Sequence, residues 1–359
     1  MLNSARIWLA LALLLSASAL AETPEPIVTQ RDSPDRDAIA VLAGTPSQLS
    51  QPPAGAAKHA SNLTSGWAQM KRARLDAMAA WAGAELSDAG ANCKTLLYPF
   101  SGPDVVSAIT LFPKCRNFQL IADQKVGTAP TLADLQSQAG QVLLARTGAS
   151  FRHIFGLGYF RTLTMRADDL EILPMLLIFL ERMRLRVESI ESLSVPGPNG
   201  IEGTRITFLN SWGAEQTVTY WDVNLSNAGG AKLTTLLNEL HRGAEGGRTV
   251  SFLKAASYLL HEDHFSRTRN FLLAESDALL QDDSGIPLRA FPATGWDFTF
   301  FGTYGKPIDL FKLPEEPAMR RAYDRAQETS TLRTLPFEYG YGHDSHHSSA
   351  ILATRRERR

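Results

Sequence analysis

The sequence predicts an α/β fold: a mainly parallel sheet with helices on both faces, Rossmann-like in the broad sense, carrying a β-hairpin insertion. Three observations predict it. Short apolar runs alternate with helical stretches over residues 62–340. A strand–helix–strand unit is bounded by the chain's two cysteines, Cys93 and Cys115. Two runs rich in Thr, Val, Tyr, Trp and Phe, Thr204 to Leu209 and Thr217 to Leu225, read as an antiparallel pair joined across Ser211-Trp212-Gly213.

The elements follow in chain order. Arg6, the apolar run Ile7 to Leu15 and the small-x-small pattern Ala19-Leu20-Ala21 read as a signal peptide over residues 1–21. That run is about half of the roughly 20 residues a spanning helix needs. Residues 22–61 carry Pro24, Pro26, Pro34, Pro46, Pro52 and Pro53 with few aromatics, and read as a disordered linker or arm. A single domain is expected over 62–340 and a polar, basic tail over 341–359, with Arg355, Arg356, Arg358 and Arg359. The stretch Leu170 to Leu180 is interrupted by Glu171 and Pro174, so it reads as a buried helix and leaves no membrane span in the mature chain.

Within the domain, Thr95 to Phe100 reads as a buried strand, and Val105 to Phe112 as a short helix with Pro103 and Asp104 at its start. Pro113 stops the helix, and Asn117 to Asp123 is the next strand. Each cysteine sits two residues before its strand. Parallel strands about 4.8 Å apart bring equivalent starting positions within disulfide range, so Cys93 and Cys115 are expected to pair. Helices are expected over Leu132 to Leu144, Asp168 to Met183, Lys232 to Leu240 and Phe265 to Glu275. Further strands are expected over Arg186 to Val195, Ala278 to Gln281 and Trp296 to Tyr304, and over Val250 to Ala255, where Ser251 to Leu260 reads equally well as a helix.

Composition narrows the function classes. Hydrophobic residues make up 44% and charged residues 20%, which excludes a disordered or collagen-like chain. With 36 Lys+Arg against 37 Asp+Glu, there is no basic excess of the kind nucleic-acid binding needs. The expected ligand is a small molecule or an envelope component. Oligomeric state is not legible.

In open α/β sheets ligands bind outside the carboxyl ends of the strands. Two segments are expected there: Tyr98-Pro99-Phe100-Ser101-Gly102-Pro103-Asp104, and Gln281-Asp282-Asp283-Ser284-Gly285-Ile286-Pro287. Each combines a hydroxyl, a carboxylate, a glycine and a proline, although any strand exit draws on the same residue types. As catalytic candidates they give Ser101, Asp104, Asp282, Asp283 and Ser284, with His261 or His264 as the base. Tyr98, Lys254, Ser257 and Tyr258 line the same edge, with a core or surface role as the plainer reading. No G-x-S-x-G elbow occurs. A metal version would use Asp104, Asp282 and Asp283 with a histidine to activate water.

The first segment also resembles the opening of a Rossmann-like nucleotide-binding unit, with Asp123 where a ribose-binding acid would stand. Only Gly102 of the G-x-G-x-x-G fingerprint is present, so no nucleotide cofactor is expected. His261-Glu262-Asp263-His264 is one residue short of the zinc helix H-E-x-x-H and reads as a solvated helix start. His343-Asp344-Ser345-His346-His347 reads as a polar tract of the tail, or else as a metal tract.

YPFSGPD (Tyr98 to Asp104), LLQDDSGIP (Leu279 to Pro287) and FFGTYGKPIDLF (Phe300 to Phe311) together resemble an uncharacterised group of exported bacterial proteins. The resemblance implies that the three segments share one domain, and no activity, cofactor or catalytic residue comes with it. The reading favoured at this point is an exported, periplasmic, hydrolase-like enzyme with a polar site at the carboxyl edge. The alternative is a non-catalytic periplasmic protein that binds a ligand or partner through the same crevice.

Overall fold

The computed structural model describes residues 24–157, 170–255, 257–305, 315–338, 340 and 348–356. Ten strands form one sheet in the order β1-β4-β5-β6-β3-β2-β7-β8-β10-β9. They are β1 (Ile27–Asp32), β2 (Cys93–Pro99), β3 (Asn117–Ala122), β4 (Arg186–Val195), β5 (Ile201–Leu209), β6 (Glu215–Asp222), β7 (Arg248–Leu253), β8 (Ala278–Gln281), β9 (Trp296–Gly302) and β10 (Ser349–Arg355).

The α/β class is as expected, but the sheet is not mainly parallel. Four neighbouring pairs are parallel and five are antiparallel. The parallel pairs are contiguous and form the centre, β6-β3-β2-β7-β8. The physical reason lies in the connections. A parallel crossover needs a dozen or more residues, and helix-bearing excursions of that length join β2 to β3, β6 to β7 and β7 to β8. The links from β4 to β5 and from β5 to β6 are tight turns around Gly197 and Gly213, at φ 128° and 81°, which force antiparallel neighbours. The expected hairpin insertion is therefore part of the sheet itself, with β6 in the parallel centre beside β3.

Side chains alternate across the sheet and feed two apolar clusters, one on each face. Leu96, Tyr98, Phe118, Leu120, Phe252 and Leu280 join one cluster. Leu97, Ile121, Leu253 and Leu279 join the other. The first cluster packs under α1 (Arg36–Ala43), α2 (Ala56–Met70), α3 (Asp76–Glu85), α4 (Val105–Leu111), α5 (Leu132–Gln136), α6 (Gln138–Leu157) and α7 (Ile172–Arg182). The second packs under α8 (Gly230–Ala244) and α9 (Ser266–Glu275). α7 is apolar on every side and buried from Ile172 to Leu180, as a helix wedged among others must be. Among the described residues, no helix is long and apolar enough to cross a membrane.

Two segments differ from expectation. The Pro-rich stretch 22–61 contributes β1 and α1 and the start of α2. Asp35 caps α1 by accepting from the Ala38 amide, Gly44 ends it at φ 62°, and residues 38–43 are buried. Residues 349–355, expected in a basic tail, form β10 between β8 and β9, with Ala350, Ile351 and Ala353 in the core. A last helix, α10 (Pro317–Glu328), packs Met319 and Tyr323 against Ile351.

The cysteines behave as read. Thr95 pairs with Asn117 in the parallel β2–β3 register, which places Cys93 beside Cys115. They form a disulfide with Cα atoms 4.5 Å apart, at the amino end of the sheet.

Candidate functional site

Numbered within the parallel centre alone, the strands run third, second, first, fourth, fifth: β6, β3, β2, β7, β8. The order reverses between β2 and β7, and a crevice at such a switch point is where doubly wound sheets place ligands. The loops leaving β2, β7 and β8 meet there.

After β2, Phe100 and Gly102 take left-handed backbone at φ 59° and 51°. The Ser101 amide donates to the Ile121 carbonyl at 3.2 Å, pinning the loop to the end of β3. Asp104 caps α4, one Oδ accepting from the Ser107 amide at 3.3 Å. The other Oδ accepts from the Tyr98 hydroxyl at 3.0 Å and from Lys254 Nζ. Lys254 leaves the end of β7, is buried, and also donates to Ser107 Oγ at 2.8 Å. Burial lowers the Lys254 ammonium from its usual range, and Asp104 opposes that.

The next residue, Ala255, is left-handed at φ 48°, and its amide donates to Asp282 Oδ2 at 2.9 Å. Asp282 follows β8, is buried, and accepts from both the amide and the hydroxyl of Ser284. Gly340, at φ 62°, presses on Asp282 so closely that a Cβ there would collide with the carboxylate. Burial pushes Asp282 upward, against its donors. Asp283, half-buried, accepts from the Tyr258 hydroxyl at 3.1 Å. Burial and the neighbouring Asp282 push it up to about 7. Burial and then the Asp283 charge raise Tyr258.

One continuous chain of contacts thus runs Tyr98–Asp104–Lys254, on through Ala255 to Asp282 and Ser284, with Asp283 and Tyr258 beside it. His261 ends a short 3-10 turn, Ser257–His261. Burial and then Arg289 depress its imidazole to about 4, and its buried Nε2 has no hydrogen-bond partner. Ser257 opens the same turn, and its side chain lies outside the described residues.

The arrangement differs from the proposed catalytic triad. The Ser101 hydroxyl donates to the Gly102 carbonyl at 3.0 Å, and Ser284 donates to Asp282. Neither is bonded to His261, so the serines are loop fasteners here. Tyr98 is fully buried and supports Asp104 without facing a crevice. His264 is exposed in the 3-10 turn Asp263–Phe265, which leads directly into α9 at Ser266, and so belongs to a solvated helix start. Among the described residues no three His, Cys, Asp or Glu side chains converge as metal ligands. The histidine tract 343–347 lies outside the described residues.

Asp123 lies at the exit of β3, the strand next to β2 on the side away from β7. Its neighbour is Asp222 at the end of β6, which burial and Asp123 push up to about 6. Gln124 Oε1 is buried without a partner and faces the space above Gly102. Sequence reasoning named Lys254 only as an edge residue and missed Ser107, Asp222 and Gly340. A lysine closing the apolar run Val250 to Leu253 was the available signal for Lys254. No known protein family, curated protein or solved structure matches this chain.

Proposed function

We propose that the protein is an exported, hydrolase-like enzyme that acts on a small polar molecule at the carboxyl rim of β2, β7 and β8. The observation that carries this reading is the interlocking of three loops from three adjacent parallel strands, through Asp104–Lys254 and Ala255–Asp282. Two of the five left-handed non-glycine residues among the described residues, Phe100 and Ala255, open two of these loops. Backbone strain of this kind is held only where surrounding contacts enforce it, and it gathers at functional sites.

In this reading the buried network is the frame, and Asp283 is the working group. It is the carboxylate of the cluster that retains exposure, and near neutrality it both accepts and returns a proton. Asp283 takes the proton from an attacking water, and Tyr258 steadies the ionised carboxylate. Residues 1–21 direct export to the periplasm, and the disulfide is compatible with an oxidising compartment.

Chromogenic esters, phosphoesters and glycosides incubated with the mature protein provide the test. Hydrolysis is expected to rise through about pH 7. Asp283→Asn is expected to lower kcat by on the order of 100-fold. Tyr258→Phe is expected to move the pH midpoint upward, since it removes a donor to the carboxylate. Turnover that Asp283→Asn leaves intact, or none across the panel, overturns the reading.

The strand order favours one second reading, ligand binding without catalysis. Asp123 leaves the second strand of the parallel centre about 20 residues beyond Gly102, where a doubly wound sheet places an acid for ribose hydroxyls. This reopens the nucleoside-type ligand that the missing glycines argue against. Adenosine that raises the melting temperature of the wild type but not of Asp123→Ala supports it.

A further inference from the structure

The opposite rim holds a cavity that the carboxyl-edge reading does not use. Its volume is about 840 Å³, within the roughly 300–1,000 Å³ of small-molecule sites. Trp67, Leu75, Met183 and Leu185 supply much of its apolar wall. Phe112, Pro113 and Lys114, just before Cys115, place it at the amino end of the sheet. Trp212, 64% exposed at the tip of the β5–β6 turn, stands at its edge.

Charge at the cavity is one-sided. Lys71, Lys114, Arg182 and Arg184 line it, and Asp76 is the single carboxylate among the lining residues. Lys71 is paired with Asp76, and Arg182 is held by Thr64 and the Gly44 carbonyl. Lys114 and Arg184 are exposed and make no ion pair among the described residues. Arg184 is left-handed at φ 61°, a conformation that costs an L side chain energy.

The wall contains a second irregularity. Between α2 and α3 the chain winds as a π-helix, Lys71–Leu75, and both its end residues face the cavity. Such π-turns are rare and concentrate at functional sites. An apolar chamber, an unpaired cationic edge, a left-handed arginine and a π-turn thus coincide at one place.

We infer that this cavity binds a fatty acid, its alkyl chain against the apolar wall and its carboxylate at the Lys114–Arg184 edge. Apolar volume alone would accept any lipid tail. The excess of cations selects an anionic head over a neutral or cationic one.

The test uses 11-(dansylamino)undecanoic acid as the probe, with the mature, disulfide-bonded protein. One saturable site per chain is expected, from which laurate displaces the probe. Dodecanol is expected to compete at least about tenfold more weakly, and dodecyltrimethylammonium more weakly still. Gly83 lines the cavity on an exposed stretch of α3, with open space where a Cβ would stand. Gly83→Trp fills that space without losing helix propensity, so binding is expected to fall at least about tenfold with the unfolding midpoint unchanged. Lys114→Glu with Arg184→Glu is expected to weaken laurate about tenfold and leave dodecanol unaltered. No saturable site, equal competition by dodecanol and laurate, or full binding by folded Gly83→Trp overturns the inference. So does cavity occupation by a second copy of the chain, seen as dimerisation that Gly83→Trp abolishes.

Discussion

The two rims of the sheet are built on opposite principles. At the carboxyl rim, charged groups are taken out of water and given buried partners, Lys254 with Asp104, and Asp282 with the Ala255 amide and the Ser284 hydroxyl. At the amino rim Lys114 and Arg184 stay in water beside an apolar cavity. Buried pairs fix geometry and make each partner costly to remove. Exposed charges beside a cavity cost little and are available to a visitor. Damage to the first rim should therefore read out as lost stability, and damage to the second as lost binding.

The sharpest way to break this contrast is Asp104→Ala. It strands the Lys254 ammonium in the core, and a loss of about 3–5 kcal/mol in urea unfolding is expected. Adding Lys254→Met should recover most of it, because a well-packed apolar pair avoids desolvating either charge. If the single variant costs under about 1 kcal/mol, the carboxyl rim is not a buried frame.

Replacing Cys93 and Cys115 with alanine comes next. The bridge spans a sequence separation of 22, for which chain entropy gives about 3 kcal/mol. The loss belongs to the amino rim's scaffold, and fatty-acid affinity measured well below the unfolding midpoint should change little.

A smaller effect is a slope. Asp283 moves from 3.8 up to about 7 on folding, so between those values the native state holds more protons than the unfolded one. Stability contributed by this group therefore declines as pH rises from about 4 to 7. His261 moves from 6.5 down to about 4 and works the other way, its contribution declining as pH falls through that window. The two slopes oppose each other, and Asp222, moved up to about 6, adds to the first. Relative to wild type, Asp283→Asn should tilt stability upward with rising pH between 4 and 6.5, and His261→Asn should tilt it downward, both read as differences in melting temperature across pH 4–8. At the weak end, Trp212→Ser should change stability by no more than about 0.5 kcal/mol, because the ring is largely exposed.

The parts of the fold legible in the sequence are those whose signals are local. The strands Arg186–Val195 and Ala278–Gln281 lie where alternation and turn residues place them. The Cys93–Cys115 bridge follows from the equal offset of each cysteine from its strand. Strand β10 was hidden because its partners β8 and β9 lie about 50 or more residues earlier in the chain, and the arginines that follow it masked a short apolar run. Helix α1 was hidden by prolines on either side of the run Ala38 to Ala43. At the site, the hydroxyls and carboxylates of both loops were legible as residue types. Their partnership with Lys254 was not, since only the strand order sets β7 between β2 and β8.

That strand order also imposes a sequence of assembly. Strand β9 is hydrogen-bonded to the rest of the sheet only through β10, which follows it in the chain after α10. Until residues 349–355 are in place, β8 keeps an open hydrogen-bonding flank, and β9 is held only by side-chain packing such as Phe298 on Phe291 and Phe300 on Tyr323. The layer carrying β9 and α10 therefore completes its place in the sheet only once β10 has paired with β8.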